Sequence, residues 1–241
     1  MNDENNMFSR SALIFGDDGL EKLGRSHVAV FGIGGVGSYS AEALTRGGIG
    51  ELTLVDGDIS EITNLNRQLY ALHSTLGKPK TETAAQRIAD INPECVVHPM
   101  QLFYTGTEID LSRFDYIIDA IDTVSSKLTL IENAARLNIP IISCMGMGNR
   151  LDITKLAVSD IYGTSVCPLA RIMRYELKKR GVMRLNTVYS TEQPAAHVRA
   201  SDEKTAKRVT IGSVSFVPPA AGLLLAGEVI KMLVARNNLQ K

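Results

Sequence analysis

The feature that most restricts this chain is Phe31-Gly-Ile-Gly-Gly-Val-Gly37, fed by the apolar run Val28 to Phe31 and followed by Val55-Asp-Gly-Asp58 at the distance of one βαβ unit. Gly32, Gly34 and Gly37 match G-x-G-x-x-G. The first two permit a tight turn and close backbone approach to phosphate, and the third lets the next helix pack on the strand. Phosphate would then lie on the amides at the N-terminus of a helix starting near Val36. Asp56 ends a second apolar strand, Leu52 to Val55, about twenty residues after the glycines, where a carboxylate can accept from ribose hydroxyls. By itself the pattern fits NAD, FAD or ATP, and equally a turn with no ligand beside a solvated aspartate.

Alternation of strand and helix continues along the chain. A helical lead-in spans Arg10 to Leu23, and the helix after the glycines stops at Gly47-Gly48. An amphipathic helix follows Gly77-Lys-Pro-Lys80, with Ala84, Ile88 and Ile91 on one face, and ends at Asn92-Pro93. Cys95 to His98, Tyr116 to Asp119 and Ile139 to Cys144 read as strands, and Ser125 to Leu137 as a helix. This order predicts an α/β, Rossmann-like fold: a parallel, doubly wound sheet in the first half, with ligands outside the strands' carboxyl ends. Leu185 to Tyr189 and Ser213 to Phe216 alternate without the βαβ rhythm, which predicts antiparallel strands in the second half. Thr191 to Thr210 has almost no large apolar residue and is expected to be a mobile loop. The organisation expected is one domain over 1–241, with a nucleotide-binding half at about 25–144 and a substrate and dimer half at about 145–241.

With 241 residues, 44% of them hydrophobic, the chain can bury one large core. A net charge of +0 means that any nucleic-acid partner must meet a local basic patch. Cys95, Cys144 and Cys167 are an odd, scattered set with no Cys-x-x-Cys, which excludes a disulfide framework and a four-cysteine zinc site and favours a reduced cytoplasm. The acidic N-terminus lacks the order of a signal peptide. Val217 to Ala235 is interrupted by Pro218, Pro219, Glu228 and Lys231, too often to cross a bilayer core of roughly 30 Å. It reads as a buried C-terminal helix with no transmembrane segment, surface membrane contact being left open.

Beyond the glycine turn come Thr63-Asn-Leu-Asn-Arg-Gln68 and Lys80. Arg67 offers a rigid, permanently charged fork to phosphate oxygens, and Lys80 at a helix start adds a point charge to the helix dipole. Gly-Ile-Gly-Gly-Val-Gly-Ser38, Asp56-Gly-Asp58, Thr63 to Gln68, Gly77 to Lys80, Ile91-Asn-Pro93 and Asp119-Ala-Ile-Asp122, in this order, resemble the adenylating ThiF/MoeB branch of the ubiquitin-activating superfamily. The resemblance covers nearly the whole chain. It implies ATP with Mg2+, attack of a carboxylate on the α-phosphate, and departure of pyrophosphate to leave an acyl-adenylate. It also implies that Gly34 and its neighbours Gly32, Gly35 and Gly37 contact ATP, that Asp56 holds the ribose with Asp58 beside it, and that Asn64, Arg67, Gln68 and Lys80 surround the phosphates. Asp122 would hold or organise the magnesium. Arg10 matches an arginine that the family sends across a homodimer interface to ATP, which places it with Arg67, Lys80 and Asp122 among the catalytic candidates.

The family's two Cys-x-x-Cys zinc pairs are missing, and Thr191 to Phe216 holds no cysteine for thioester chemistry. Cys167, at a helix start, reads as a small structural residue, and Cys144 as core. Cys144 to Asp152, Asp160 to Arg171 and Val188 to Glu192 resemble one branch, the tRNA threonylcarbamoyladenosine dehydratases. That branch implies ATP-dependent cyclisation of a modified adenosine beside the tRNA anticodon, with no enzyme nucleophile, because the second attack is intramolecular. A sulfur-relay protein partner is left open. Arg171, Arg174, Lys178, Lys179, Arg180 and Arg184 along one helix, and Arg199, Lys204, Lys207 and Arg208 in the loop, are candidate RNA surfaces. The histidines show no metal spacing and take no role. Rival readings are adenylation of a sulfur-carrier protein's C-terminus and a nucleotide-binding scaffold without turnover.

Overall fold

The apolar runs form strands because helices cover both faces of the sheet they build. In the computed structural model, which describes residues 6–195 and 211–235, the strands are β1 (His27–Phe31), β2 (Glu51–Val55), β3 (Val96–Met100), β4 (Tyr116–Asp119), β5 (Ile141–Cys144), β6 (Leu156–Asp160) and β7 (Asn186–Ser190). They make one seven-stranded sheet in the order β3-β2-β1-β4-β5-β7-β6. All neighbours are parallel except β6, which runs antiparallel to β7. Every residue of β1 is buried, the mark of a strand covered on both faces. Its alternation divides the core: Val28 and Val30 point into one apolar layer, Ala29 and Phe31 into the other.

The helices are α1 (Ser9–Gly24), α2 (Gly37–Gly47), α3 (Lys80–Ile91), α4 (Val124–Arg136), α5 (Pro168–Lys179) and α6 (Val217–Ala235). α6 packs chiefly on α2 and α1, with Ala221, Leu225, Ala226 and Val229 in the first core layer. It is long and apolar enough to cross a membrane by length and composition, yet half of its most apolar window is buried inside the protein. The two prolines expected to interrupt this segment sit in the helix's first turn, where no intrahelical donor is lost.

Two expectations for the second half need correction. Ser213 to Phe216 forms no strand: the stretch runs irregularly into α6, and the Ala220 amide already donates to the Phe216 carbonyl. Four alternating residues are too few to hold a register unless another strand takes them up. The strand actually present, β6, is half-buried at the sheet edge and so carries only a weak apolar signal. The antiparallel switch is therefore confined to β6. Of the segment read as a mobile loop, 196–210 lies outside the described residues, and with it Arg199, Lys204, Lys207 and Arg208.

Candidate active site

Strand order reverses between β1 and β4, and in sheets of this kind the ligand crevice lies at that point, outside the carboxyl ends of the strands. Gly32 opens the turn with φ +88°, and a Cβ there would lie 2.6 Å from the Ala120 carbonyl oxygen. Only glycine lets the β1 and β4 exits come that close. Gly37 is needed for packing, since its Cβ would sit 1.8 Å from the Gly32 carbonyl oxygen. α2 starts here, and with no acidic residue in its first turn its positive end is left to an anion.

Asp56 secures the turn from β2. Its Oδ2 accepts from the Ile33 amide at 2.7 Å and its Oδ1 from the Asp58 amide at 2.9 Å. Burial, the largest influence, raises the carboxyl above its ordinary pKa, while the Lys80 ammonium and the two amides work in the opposite direction. Lys80, the buried first residue of α3, donates to Asp58 at 2.8 Å and lies 3.7 Å from Asp56. The lysine expected at the phosphates is thus ion-paired to both carboxylates, and the three groups together carry no net positive charge.

Arg67 differs. Its stem crosses the glycine turn so closely that a Cβ on Gly35 would meet Arg67 Cγ at 3.1 Å. The residue is half-buried, and among the described residues its guanidinium donates at the surface to the Thr63 carbonyl at 3.1 Å and Asn66 Oδ1 at 2.9 Å. Among the described residues no carboxylate lies within ion-pair distance of it. Gln68 is buried beside the same turn, its Nε2 3.8 Å from the place of a Gly34 Cβ. Asn64 is buried too, but its side-chain oxygen caps a short 3-10 helix by accepting from the Glu61 amide at 3.1 Å.

Asp122 follows β4 at the mouth of the crevice. It is exposed, with the Thr123 hydroxyl 3.3 Å from its Oδ1. Arg10 is exposed on α1, and among the described residues no hydrogen bond or ion pair joins it to this set. The three cysteines are free and buried; burial pushes the Cys144 thiol up to about 12 and the Cys95 thiol up to about 11. Those two remain protonated and unreactive at neutral pH.

The structure adds groups that sequence reasoning missed. Lys127 on α4 and Asp119 at the end of β4 form an ion pair at 2.7 Å, fully buried on both sides, and the Ser143 hydroxyl donates to the same Asp119 oxygen at 2.6 Å. Asp119 Oδ1 accepts from the Ile121 amide at 3.2 Å, so the pair ties down the turn that carries Asp122. A signal existed: Lys127 occupies the apolar phase of α4, in step with Leu130, Ile131 and Ala134. Arg150 is also buried, donating to the Glu192 carbonyl, while the Glu192 carboxylate accepts from the Leu151 and Asp152 amides. That contact closes the loop after β5 on the exit of β7.

The basic helix, α5, ends at Lys179, so of the six cations expected along it Arg180 stands at its C-terminal cap and Arg184 beyond it, and the set divides. Arg174 is turned inward onto Thr164, Lys179 pairs with Glu176 at 3.5 Å and covers the Tyr175 ring, and Arg180 pairs with Glu132 at 2.7 Å. Arg171, Lys178 and Arg184 are exposed and have no ion-pair partner among the described residues.

The ThiF family profile matches residues 8–241. The chain is 43% identical, over 94% of each sequence, to a tRNA threonylcarbamoyladenosine dehydratase of Bacillus subtilis, and 39% identical to one of Escherichia coli over 77% of this chain and 73% of the relative. It superimposes with TM-score 0.88 and 32% identity on the crystal structure of E. coli tRNA N6-threonylcarbamoyladenosine dehydratase in complex with ATP, covering 100% of this chain and 99% of that one.

Proposed function

Since the chain belongs to the ThiF family, we propose that it is an ATP-dependent tRNA threonylcarbamoyladenosine dehydratase acting through an acyl-adenylate. The observation that carries this reading is Arg67, its stem laid across the glycine turn and its guanidinium without a carboxylate partner among the described residues. In the first step a carboxylate oxygen of the substrate attacks the α-phosphorus of ATP, the bond to the bridging oxygen breaks, and pyrophosphate leaves. In the second the carbamoyl nitrogen attacks the acyl carbon, loses its proton, and displaces AMP, which takes away the carboxylate oxygen. The substrate has lost one water, and no enzyme nucleophile is used. The buried cysteines agree with that.

Each residue then has a physical task. Negative charge grows on the α-phosphate and on the leaving oxygens, and a fixed guanidinium stabilises it more in the transition state than before. Asp56 fixes the turn on which ATP lies and faces the ribose; Gln68 and the glycine amides line the phosphate path. Lys80 is already balanced by Asp56 and Asp58, so Arg67 and a metal ion must supply the surplus positive charge. Asp122 fits Mg2+, which takes one or two protein carboxylates and completes its shell with phosphate oxygens and water. When bound, the ion neutralises charge on the leaving pyrophosphate.

The continuous sheet across residue 144 supports a single working unit over the chain, and buried reduced cysteines support a cytoplasmic setting. Leu13 and Ile14 on α1 are 88% and 80% exposed, apolar area suited to a second copy, so a homodimer in which Arg10 reaches the partner's crevice is part of the proposal.

The deciding experiment incubates threonylcarbamoyladenosine-containing tRNA with the protein, ATP and Mg2+, and follows nucleosides by mass. A loss of one water with equimolar AMP and pyrophosphate is expected; pyrophosphate release with a Gly-Gly-ended carrier protein and none with tRNA would overturn the reading. In the same assay Asp122→Ala should slow turnover about ten- to a hundredfold, because phosphate oxygens and water still hold the ion. Its melting temperature should match the parent's. For the RNA surface, removing Arg171, Lys178 and Arg184 together should weaken tRNA binding and flatten its log–log salt dependence by about 0.7 to 0.9 per cation. An unchanged slope would move the RNA elsewhere.

A further inference from the structure

At the opposite end of the same strands lies a second group of chemistry-bearing side chains. Parallel register pairs His27 with Glu51, and Thr53 with His98 two residues further along. Because side chains alternate along a strand, all four share one face of the sheet. Glu51 Oε1 lies 3.3 Å from His27 Nδ1 and 2.8 Å from His98 Nε2, and the three atoms fall within 4.8 Å of one another. Spacing along the chain could not show this, since the residues sit on three separate strands.

We propose that His27, Glu51 and His98 form a binding site for a divalent transition metal of the zinc class, distinct from the nucleotide crevice. Two imidazoles and a carboxylate are ligands that Zn2+ accepts, with bonds of about 2.0 to 2.2 Å and hence tetrahedral ligand separations of about 3.3 Å. The His27–Glu51 pair already has that spacing. Glu51 and His98 have side chains 37% and 40% exposed, free to adjust, while His27 is 9% exposed and fixed.

His27 is held as a metal ligand is held. Its Nε2 lies 2.9 Å from Thr53 Oγ1; donation from Nε2 to that hydroxyl leaves the Nδ1 lone pair aimed at Glu51, the arrangement by which an outer partner sets a ligating histidine's tautomer. The edge of the Phe114 ring packs on it, and its backbone amide donates to Asp115 at 2.9 Å. Glu51 also lines a cleft of about 440 Å3, shared with Arg25, Asn92 and Glu94, a route from solvent. The fourth position is left for water or a ligand from that cleft.

The test uses the full, tag-free chain, dialysed against chelator and titrated with Zn2+ by calorimetry, then with Co2+ followed by visible absorption. One equivalent per chain, with the intense absorption of low-coordinate cobalt, is expected. Glu51→Gln and His98→Ala should each lower affinity at least about tenfold, and Thr53→Val about ten- to a hundredfold through lost orientation of His27. His73→Ala, away from the cluster, should leave binding unchanged, and pyrophosphate release by Glu51→Gln should equal the parent's. Failure to retain metal, equal loss in His73→Ala, or undiminished binding in Glu51→Gln and His98→Ala would each overturn the site.

Discussion

Arg67→Ala is expected to slow adenylate formation by about a hundred- to a thousandfold, the effect of removing one preorganised donor from a site of developing charge, and to leave stability within about 0.5 kcal/mol. The asymmetry follows from the surroundings of the side chain. Its hydrogen bonds to the Thr63 carbonyl and Asn66 are made at the surface, so water replaces them at little cost. Its charge has no internal counter-ion among the described residues and is spent only on a ligand. Arg67→Lys should recover little, because a single ammonium cannot reproduce a planar fork that contacts two oxygens. Lys80→Ala should behave differently, since it strips the cation from Asp56 and Asp58, and should lose activity and stability together. The check is a pair of measurements on each variant, single-turnover pyrophosphate release and a urea midpoint. A fall in midpoint for Arg67→Ala as large as its fall in rate would show that the residue holds the fold and not the reaction.

The residues that the sequence made legible are those whose chemistry is local. The glycine turn, Asp56 and the strand–helix rhythm through Cys144 follow from spacing along the chain, and β4 appears at its expected bounds. Arg67 could be singled out from its motif, but its lack of a partner could not, because that depends on where every carboxylate lies. Lys80 is the same case: its charge at a helix start could be read from the sequence, but its pairing with Asp58, twenty-two residues away across the β2–α3 junction, could not. β6 was hidden because a half-buried edge strand needs little apolar alternation, and Ser213 to Phe216 misled because alternation over four residues occurs without pairing. His27, Glu51 and His98 were invisible as a set for the same reason as Lys80, since sheet register joins what sequence separates.

Lys127→Met should cost about 3 to 5 kcal/mol of stability, the penalty for leaving a buried carboxylate without its cation. In a chain of this length that lowers the melting temperature by roughly 6 to 20 °C. Methionine preserves most of the volume, so the loss measures charge and not packing. The contacts of Asp119 explain why the ion pair is not simply replaceable. Its carboxylate also accepts from Ser143 and from the Ile121 amide, and an apolar residue there would leave those donors buried and unpaired at about 1 to 3 kcal/mol each. Adding Asp119→Asn to Lys127→Met keeps an oxygen to accept from the Ile121 amide, lets the new amide nitrogen donate to the Ser143 hydroxyl, and removes the stranded charge, so the double variant should be more stable than Lys127→Met alone. Equal or lower stability of the double variant would mean that the lysine contributes packing and not charge balance. The pair also reaches the reaction. The Ile121 amide that Asp119 holds is one residue from Asp122, so Lys127→Met should weaken Mg2+ binding at temperatures where the protein is still folded, raising the Mg2+ concentration needed for half-maximal rate. A purely structural lysine would leave that concentration unmoved, which makes the Mg2+ titration the measurement that separates a buried strut from a group that positions the carboxylate proposed to hold the metal.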